Sequence, residues 1–355
     1  MIRNKLQIGV VGGGMIADAH MGNFVKDGRT QLRWLAETNT ERLNEKAKKY
    51  SVPNATTDYR EMLKDEELDA VVVCTPPWLH VKMGVDVMRA GKHLLMEKPL
   101  APTVADALTL LAEARRHPHL KVSGCSCRHA RLNPKFHFVK KMIDDGKLGD
   151  VYFVHHRGGA RQGRPGVEYN PGAKWFLDRK LAGGGPLYDW GVYDLSFHLG
   201  LLGEPRFIKA EAFCRNGLDL VKTGAPVFTV EEHGAAWLKF AGGLSYFWER
   251  SSNAHNAVPP QTAIYGTRGG LRFGFCTWDP PEIEYFYVDR GGRGKARSKT
   301  YPIDMSSHKG DMPALGEAFI AYLLGKGPVP MPLELEVKNL KIIHAVYAAA
   351  GWKGR

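Results

Sequence analysis

The sequence predicts an α/β protein in two parts: a doubly wound parallel sheet of Rossmann type, then an α+β domain carrying an antiparallel sheet. Three observations carry this. Over roughly the first 120 residues, short apolar runs alternate with helical patterns, as in a parallel sheet covered by helices. Past Cys127 the strand patterns come in runs joined by short turns, a mark of antiparallel pairing. A glycine pattern stands where the first strand meets the first helix. The expected domains are residues 1–127 and 128–355.

Taken in order, Leu6 to Val11 reads as a buried strand and Met15 to about Lys26 as a helix. A strand follows over Gln31 to Ala36. The stretch from Thr40 to Tyr50 is helical in composition, rich in Glu, Lys, Ala and Leu. Ala70 to Cys74 is an apolar strand stopped by Pro76 and Pro77. Val81 to Ala90 is helical and stops at Gly91, a residue suited to a left-handed cap. Lys92 to Met96 is a strand. Thr103 and Asp106 form a capping box that opens a helix through Arg116. Lys121 to Cys125 is the last strand of this part.

In the second part, Pro134 to Asp145 reads as a helix ending at Gly146. Strands are expected at Val151–Arg157, Phe207–Phe213, Glu231–Phe240, Leu244–Arg250, Gln261–Tyr265 and Gly270–Phe275. Helices return at Met312–Leu324 and Glu334–Ala350.

Composition narrows the function classes. With 355 residues, 44% hydrophobic and 24% charged, the chain can bury two ordinary cores and reads as globular. No apolar run approaches the roughly 20 residues of a membrane helix. The start resembles no signal peptide, so a cytoplasmic location and no membrane partner are expected. Net charge is +12. The densest basic run, from Arg290 to Lys299, lies between strand-like stretches and reads as a solvated hairpin tip; no nucleic-acid partner is expected. The five cysteines form no disulfide framework. Cys125 and Cys127 are spaced to alternate across the faces of a strand, and no metal site is expected.

The chemistry begins at Gly12-Gly-Gly14-Met-Ile-Ala17, which fits G-x-G-x-x-A between a strand and a helix. Gly12 allows the tight turn, Gly14 lets backbone approach a pyrophosphate, and Ala17 lets helix pack near strand. The amides of Met15 and Ile16 at the helix start then face the phosphates. Glu37 ends the second strand, 23 residues beyond Gly14. A carboxylate there accepts from the adenosine ribose and repels a 2′-phosphate. NAD is therefore expected over NADP, although Arg42 stands within reach of a phosphate.

Further landmarks follow. Cys74-Thr-Pro-Pro-Trp-Leu-His80 and Glu97-Lys98-Pro99 stand at successive strand ends. Then come Arg131-Leu-Asn-Pro134, the turn Gly146-Lys-Leu-Gly149, and Gly183-Gly-Gly-Pro-Leu-Tyr-Asp189-Trp-Gly-Val-Tyr193-Asp194. In this order the chain resembles the glucose–fructose oxidoreductase, inositol dehydrogenase and rhizopine-catabolism (Gfo/Idh/MocA) family. The resemblance implies a Rossmann domain followed by an α+β domain built on a large open antiparallel sheet, and a hydride transfer between NAD and a hydroxyl of a sugar, inositol or related polyol, with substrate between the two domains. It also implies cofactor contacts from Thr75, Pro76, His80, Glu97 and Lys98, a cis Lys98–Pro99 bond, and a homodimer or homotetramer formed through the open sheet. Lys98, Asp189 and Tyr193 would make the catalytic cluster.

Alcohol oxidation needs a base for the hydroxyl proton. Tyr193 stands where the family more often has histidine. Its phenol ordinarily titrates near 10, so an adjacent charge, assigned here to Lys98, is required. In the other reading Tyr193 packs and Lys98 is the base. If Gly191 opens a helix, Asp189 and Tyr193 share one wall of a cleft. His129 and Arg131 are substrate-side candidates, as are Trp175, by stacking on a sugar, and Arg161 and Arg164 in a glycine-rich loop. His198 reads as a buried histidine paired to a neighbour. Two other functions share the scaffold: glycoside cleavage through transient oxidation, and nucleotide sensing without catalysis.

Overall fold

The computed structural model describes residues 5–159, 171–218, 225–256, 258–289 and 294–353. The chain divides into two compact units, Met1–Ser126 with Met312–Val337, and Cys127–Asp311 with Lys338–Arg355. The stretch Met312–Val337 groups with the first unit, whereas the sequence alone places it in the second domain.

The first unit holds a six-stranded sheet of β1 (Leu6–Val11), β2 (Thr30–Ala36), β3 (Asn54–Thr56), β4 (Ala70–Val73), β5 (His93–Met96) and β6 (Val122–Gly124), in the order β3-β2-β1-β4-β5-β6. Every pairing is parallel. Strands covered on both faces must be apolar throughout, and all four residues of β4 are buried. Local chemistry sets the helix starts. The Thr103 hydroxyl donates to Asp106 and accepts its amide at 3.1 Å, opening Val104–Arg116 with the expected capping box. Asn39 caps Thr40–Lys49 by accepting the Arg42 amide. β3, only three residues long, carries too short a pattern to be read from sequence.

The second unit is built on an eight-stranded sheet: β7 (Val151–Gly159), β8 (Phe207–Arg215), β9 (His233–Phe240), β10 (Ser245–Ser251), β11 (Val258–Gly266), β12 (Gly269–Phe273), β13 (Glu282–Asp289) and β14 (Lys295–Pro302). Its order is β14-β13-β12-β11-β7-β10-β9-β8. All pairs are antiparallel except β7 with β10, which run parallel because β7 inserts between β10 and β11. One face, with Val154, Tyr246, Trp248 and Ile264, is buried. The helix Gly191–Leu201 is buried on nearly every side, as its apolar sequence requires. Inside this core Asp194 accepts from Arg250 Nε at 2.7 Å and from Trp248 Nε1 at 2.8 Å, so its charge is paired and hydrogen-bonded.

Cys125 and Cys127 do not alternate across a strand. β6 ends at Gly124, and both cysteines are buried in the turn that follows. No helix among the described residues is long and apolar enough to cross a membrane.

Candidate active site

In the first unit, the sequence-predicted cofactor residues collect at the carboxyl ends of β1, β2, β4 and β5. The strand order reverses between β1 and β4, the place where parallel sheets bind ligands. Gly12 turns the chain at a φ of +91°, and a Cβ there would meet the Cys74 carbonyl at 3.0 Å; only glycine suits it. Gly14 begins the helix Met15–Lys26 with no side-chain cap, and nothing lies within 4 Å of where its Cβ would be. Uncapped amides beside open space fit a pyrophosphate.

Glu37 is buried at the end of β2. One carboxylate oxygen accepts the Gly13 amide at 2.7 Å and the other the Asn39 amide at 2.8 Å. Burial pushes its carboxyl up, but those amides and the Arg42 guanidinium outweigh it and hold the pKa below its ordinary value. Glu37 is thus a fixed anion, with Arg42 Nη1 at 3.4 Å.

His80 and Glu97 are turned inward. The His80 ring places Nε2 at 2.6 Å from the Thr75 carbonyl and Nδ1 at 2.9 Å from that of Pro99. It ties together the loops after β4 and β5. Burial lowers its pKa, so the ring is neutral and donates to one carbonyl at a time. Glu97 accepts the Lys98 amide at 3.0 Å and meets His20 Nε2 at 2.8 Å. Thr75, Pro76 and Lys98 are half-buried on the same loops, and the Lys98–Pro99 bond is cis. Among the described residues His20, Glu97 and Cys125 form one group close enough to hold a metal ion, and the His20–Glu97 hydrogen bond already satisfies two of its members.

The second unit gathers a different cluster. Tyr193 lies in the first turn of Gly191–Leu201, which does begin at Gly191. Asp189 ends a separate short helix, Pro186–Asp189, and Trp190 makes the joint between the two. The Tyr193 hydroxyl accepts a short hydrogen bond from Arg128 Nη2. His129 packs edge-on against the Tyr193 ring, centroids 4.7 Å apart, and against Trp278 at 5.2 Å. Its Nδ1 lies 2.6 Å from Asp311 Oδ2, and that carboxylate also receives Thr277 Oγ1 and His308 Nε2. Beside Asp189 and Trp190 a cavity of about 300 Å³ opens, lined also by Gly158, Gly159, Phe176 and Arg250.

Other candidates fall elsewhere. Arg131 is bonded to Glu204 and to the carbonyl and hydroxyl of Ser196, an internal brace. Trp175 stacks on Phe176 at 3.9 Å, and Phe176 is the one of the pair that lines the cavity. Arg161 and Arg164 lie outside the described residues. His198 is buried and paired as expected, with Thr262 at 2.9 Å and Tyr246 at 2.8 Å. Sequence reasoning missed Arg128, although it adjoins His129. It also missed Asp311, which stands 182 residues from His129 and has no local signal.

Comparison with known proteins agrees with this division. Residues 6–123 match the model described as an oxidoreductase family with an NAD-binding Rossmann fold, and residues 136–272 match the GFO/IDH/MocA C-terminal domain. A D-glucoside 3-dehydrogenase of Escherichia coli is 25% identical over 360 residues, covering 99% of this chain and 97% of its own. A levoglucosan dehydrogenase of Pseudarthrobacter phenanthrenivorans is 24% identical over 82% of this chain and 79% of its own. In fold, a levoglucosan dehydrogenase solved with NADH and levoglucosan superimposes with a TM-score of 0.83 at 21% identity, over 98% of this chain and 97% of that one. Matched in both its halves, the chain belongs to the Gfo/Idh/MocA family of NAD-binding oxidoreductases.

Proposed function

We propose that this oxidoreductase takes a hydride from a ring hydroxyl carbon of a neutral sugar or glycoside, with Tyr193 receiving the hydroxyl proton. The observation that carries the reading is the Tyr193 hydroxyl held by a guanidinium, next to the Asp189-lined cavity. Relatives named for D-glucoside and levoglucosan oxidation support the substrate class.

NAD, when bound, supplies the hydride acceptor. Gly12, Gly14, Met15 and Ile16 hold its pyrophosphate by backbone, and Glu37 its adenosine ribose. Thr75, Pro76 and Lys98 form the wall toward the nicotinamide, while His80 and Glu97 act through the loops that they pin. Lys98 donates to the reacting hydroxyl and orients it. Asp189 accepts from a neighbouring sugar hydroxyl, and Trp190 gives the apolar ring face a flat surface. His129 contributes a further polar contact. A cavity of about 300 Å³ matches a monosaccharide-sized ligand.

The test is absorbance of reduced nicotinamide, with NAD and a panel of glycosides, anhydrosugars, aldoses and inositols. Growth on one class, lost in Lys98→Ala and cut at least about 100-fold in Tyr193→Phe, is the expected result. Turnover undiminished in Tyr193→Phe would move the proton acceptor to Lys98.

A further inference from the structure

We propose that Arg128 is the positioning residue that poises Tyr193 as a base, its guanidinium holding the phenol oxygen in a state that gives up its proton near neutral pH. This rests on the reading above, in which Tyr193 receives the substrate proton.

The geometry is direct. Arg128 Nη2 donates to the Tyr193 oxygen, and the guanidinium carbon lies 5.6 Å from the centroid of the same ring. Arg128 is 3% exposed and Tyr193 1%, so water screens the pair weakly. The guanidinium is also held from its other side, where Nε lies 3.4 Å from His129 Nε2, and His129 is anchored in turn on Asp311.

Two effects oppose each other. Burial disfavours a lone phenolate and raises a tyrosine pKa; an adjacent cation lowers it. Here the fold has already buried the cation. With a neutral phenol the guanidinium faces only a dipole at this contact, whereas with a phenolate it faces a full opposite charge. Ionising Tyr193 therefore adds a direct charge pair at a buried hydrogen bond that is already formed, which favours the phenolate. Arginine suits this task better than lysine, since a guanidinium stays protonated throughout. It biases Tyr193 without competing for the proton. During oxidation the substrate O–H bond breaks and its proton forms the O–H bond of Tyr193. The electron pair left on oxygen closes the carbonyl as the C–H hydrogen departs as hydride to NAD. Arg128 gains and loses no proton.

The experiment is an ultraviolet tyrosinate titration, which needs no substrate. The chain has 13 tyrosines, so each trace is taken as a difference against the same protein carrying Tyr193→Phe. In the wild type Tyr193 is expected to titrate roughly one to three pH units lower than in Arg128→Gln. Glutamine keeps a hydrogen-bond donor and removes the charge. Arg128→Lys, which keeps the charge, should restore most of the shift. The acid limb of the pH–rate profile for sugar oxidation should move to higher pH in Arg128→Gln by the same interval. Identical Tyr193 titration in wild type and Arg128→Gln, with unchanged near-ultraviolet circular dichroism, overturns the proposal even if the enzyme oxidises sugars. A shifted titration in a protein that oxidises no sugar upholds the electrostatic role of Arg128 and removes the dehydrogenase reading instead.

Discussion

His129 Nδ1 lies 2.6 Å from Oδ2 of Asp311, and this contact sets the tautomer of the ring: Nδ1 donates, and Nε2 is left as the acceptor. Burial pushes the Asp311 carboxyl up, but hydrogen bonds from His129, Thr277 and His308 outweigh it and hold it below its ordinary value. One buried carboxylate thus orients two imidazoles. Asp311→Asn keeps the size and removes the charge, so one of the three donors loses its acceptor. We expect a loss of about 1–3 kcal/mol of stability by urea unfolding, and a raised KM for sugar, since His129 then rotates. An unchanged unfolding midpoint would show that the cluster is not holding the ring.

The nucleotide preference rests on Glu37. Its carboxylate is fixed by two backbone amides, so it cannot swing away from a 2′-phosphate. Like-charge contact costs several kcal/mol, which predicts at least roughly 100-fold lower kcat/KM with NADP than with NAD. In Glu37→Ala the repulsion goes, and Arg42, now 3.4 Å from that carboxylate, can turn to the phosphate. The ratio should narrow or invert. Equal use of both cofactors by the wild type would contradict the assignment.

How much of this was legible in the sequence divides along physical lines. The Rossmann half was, because its signals are local: an apolar run for each buried strand, a capping box at Thr103, a glycine at each sharp turn. The cofactor candidates at the strand ends follow from the same order. Two things were not. Met312–Val337 groups with the first unit through contacts such as Met331 N with Ser123 Oγ, 208 residues apart, and no periodicity encodes such a return. The environment of Tyr193 was also hidden. A motif drew attention to the charge of Lys98, but none marked Arg128, whose guanidinium bonds the phenol within the second unit.

The outer face of the eight-stranded sheet predicts an oligomer. The Phe153 ring stacks on Trp237 and on Tyr265, each at 5.4 Å, and Trp237, Tyr265 and Phe213 remain exposed. A contiguous aromatic patch of this kind is uncommon on a monomer. Charges of both signs surround it, among them Lys209, Glu211, Arg272 and Glu284, which suits a second copy of the same surface. We expect a dimer or tetramer by sedimentation, and a shift to monomer in Trp237→Glu. A wild-type monomer at micromolar concentration would exclude this use of the face.

Stability should fall in mild acid, and the sign follows from three buried histidines. Burial lowers the pKa of His80, His156 and His198 in the folded protein. Unfolded, each takes up a proton near pH 6.5. Below that value the unfolded chain binds three protons that the folded one refuses, so stability is present above about pH 6.5 and lost as pH falls. Glu231 acts in the opposite direction. Burial raises its carboxyl to about 7, despite the amides of Gly185 and Leu187 and the Tyr347 hydroxyl. Between its ordinary 4.5 and that value the folded protein keeps a proton that the unfolded chain has shed. Asp65, held down to about 2 by Arg33, is ionised in both states across this window and cancels. The buried histidines outnumber Glu231, so the net effect is a loss of stability as pH falls below about 6.5. Urea midpoints measured from about pH 7.5 down to 5 should fall accordingly. A flat profile would mean that these histidines protonate inside the folded core, and that the network of His156, His198, Thr262 and Asp194 tolerates the added charge.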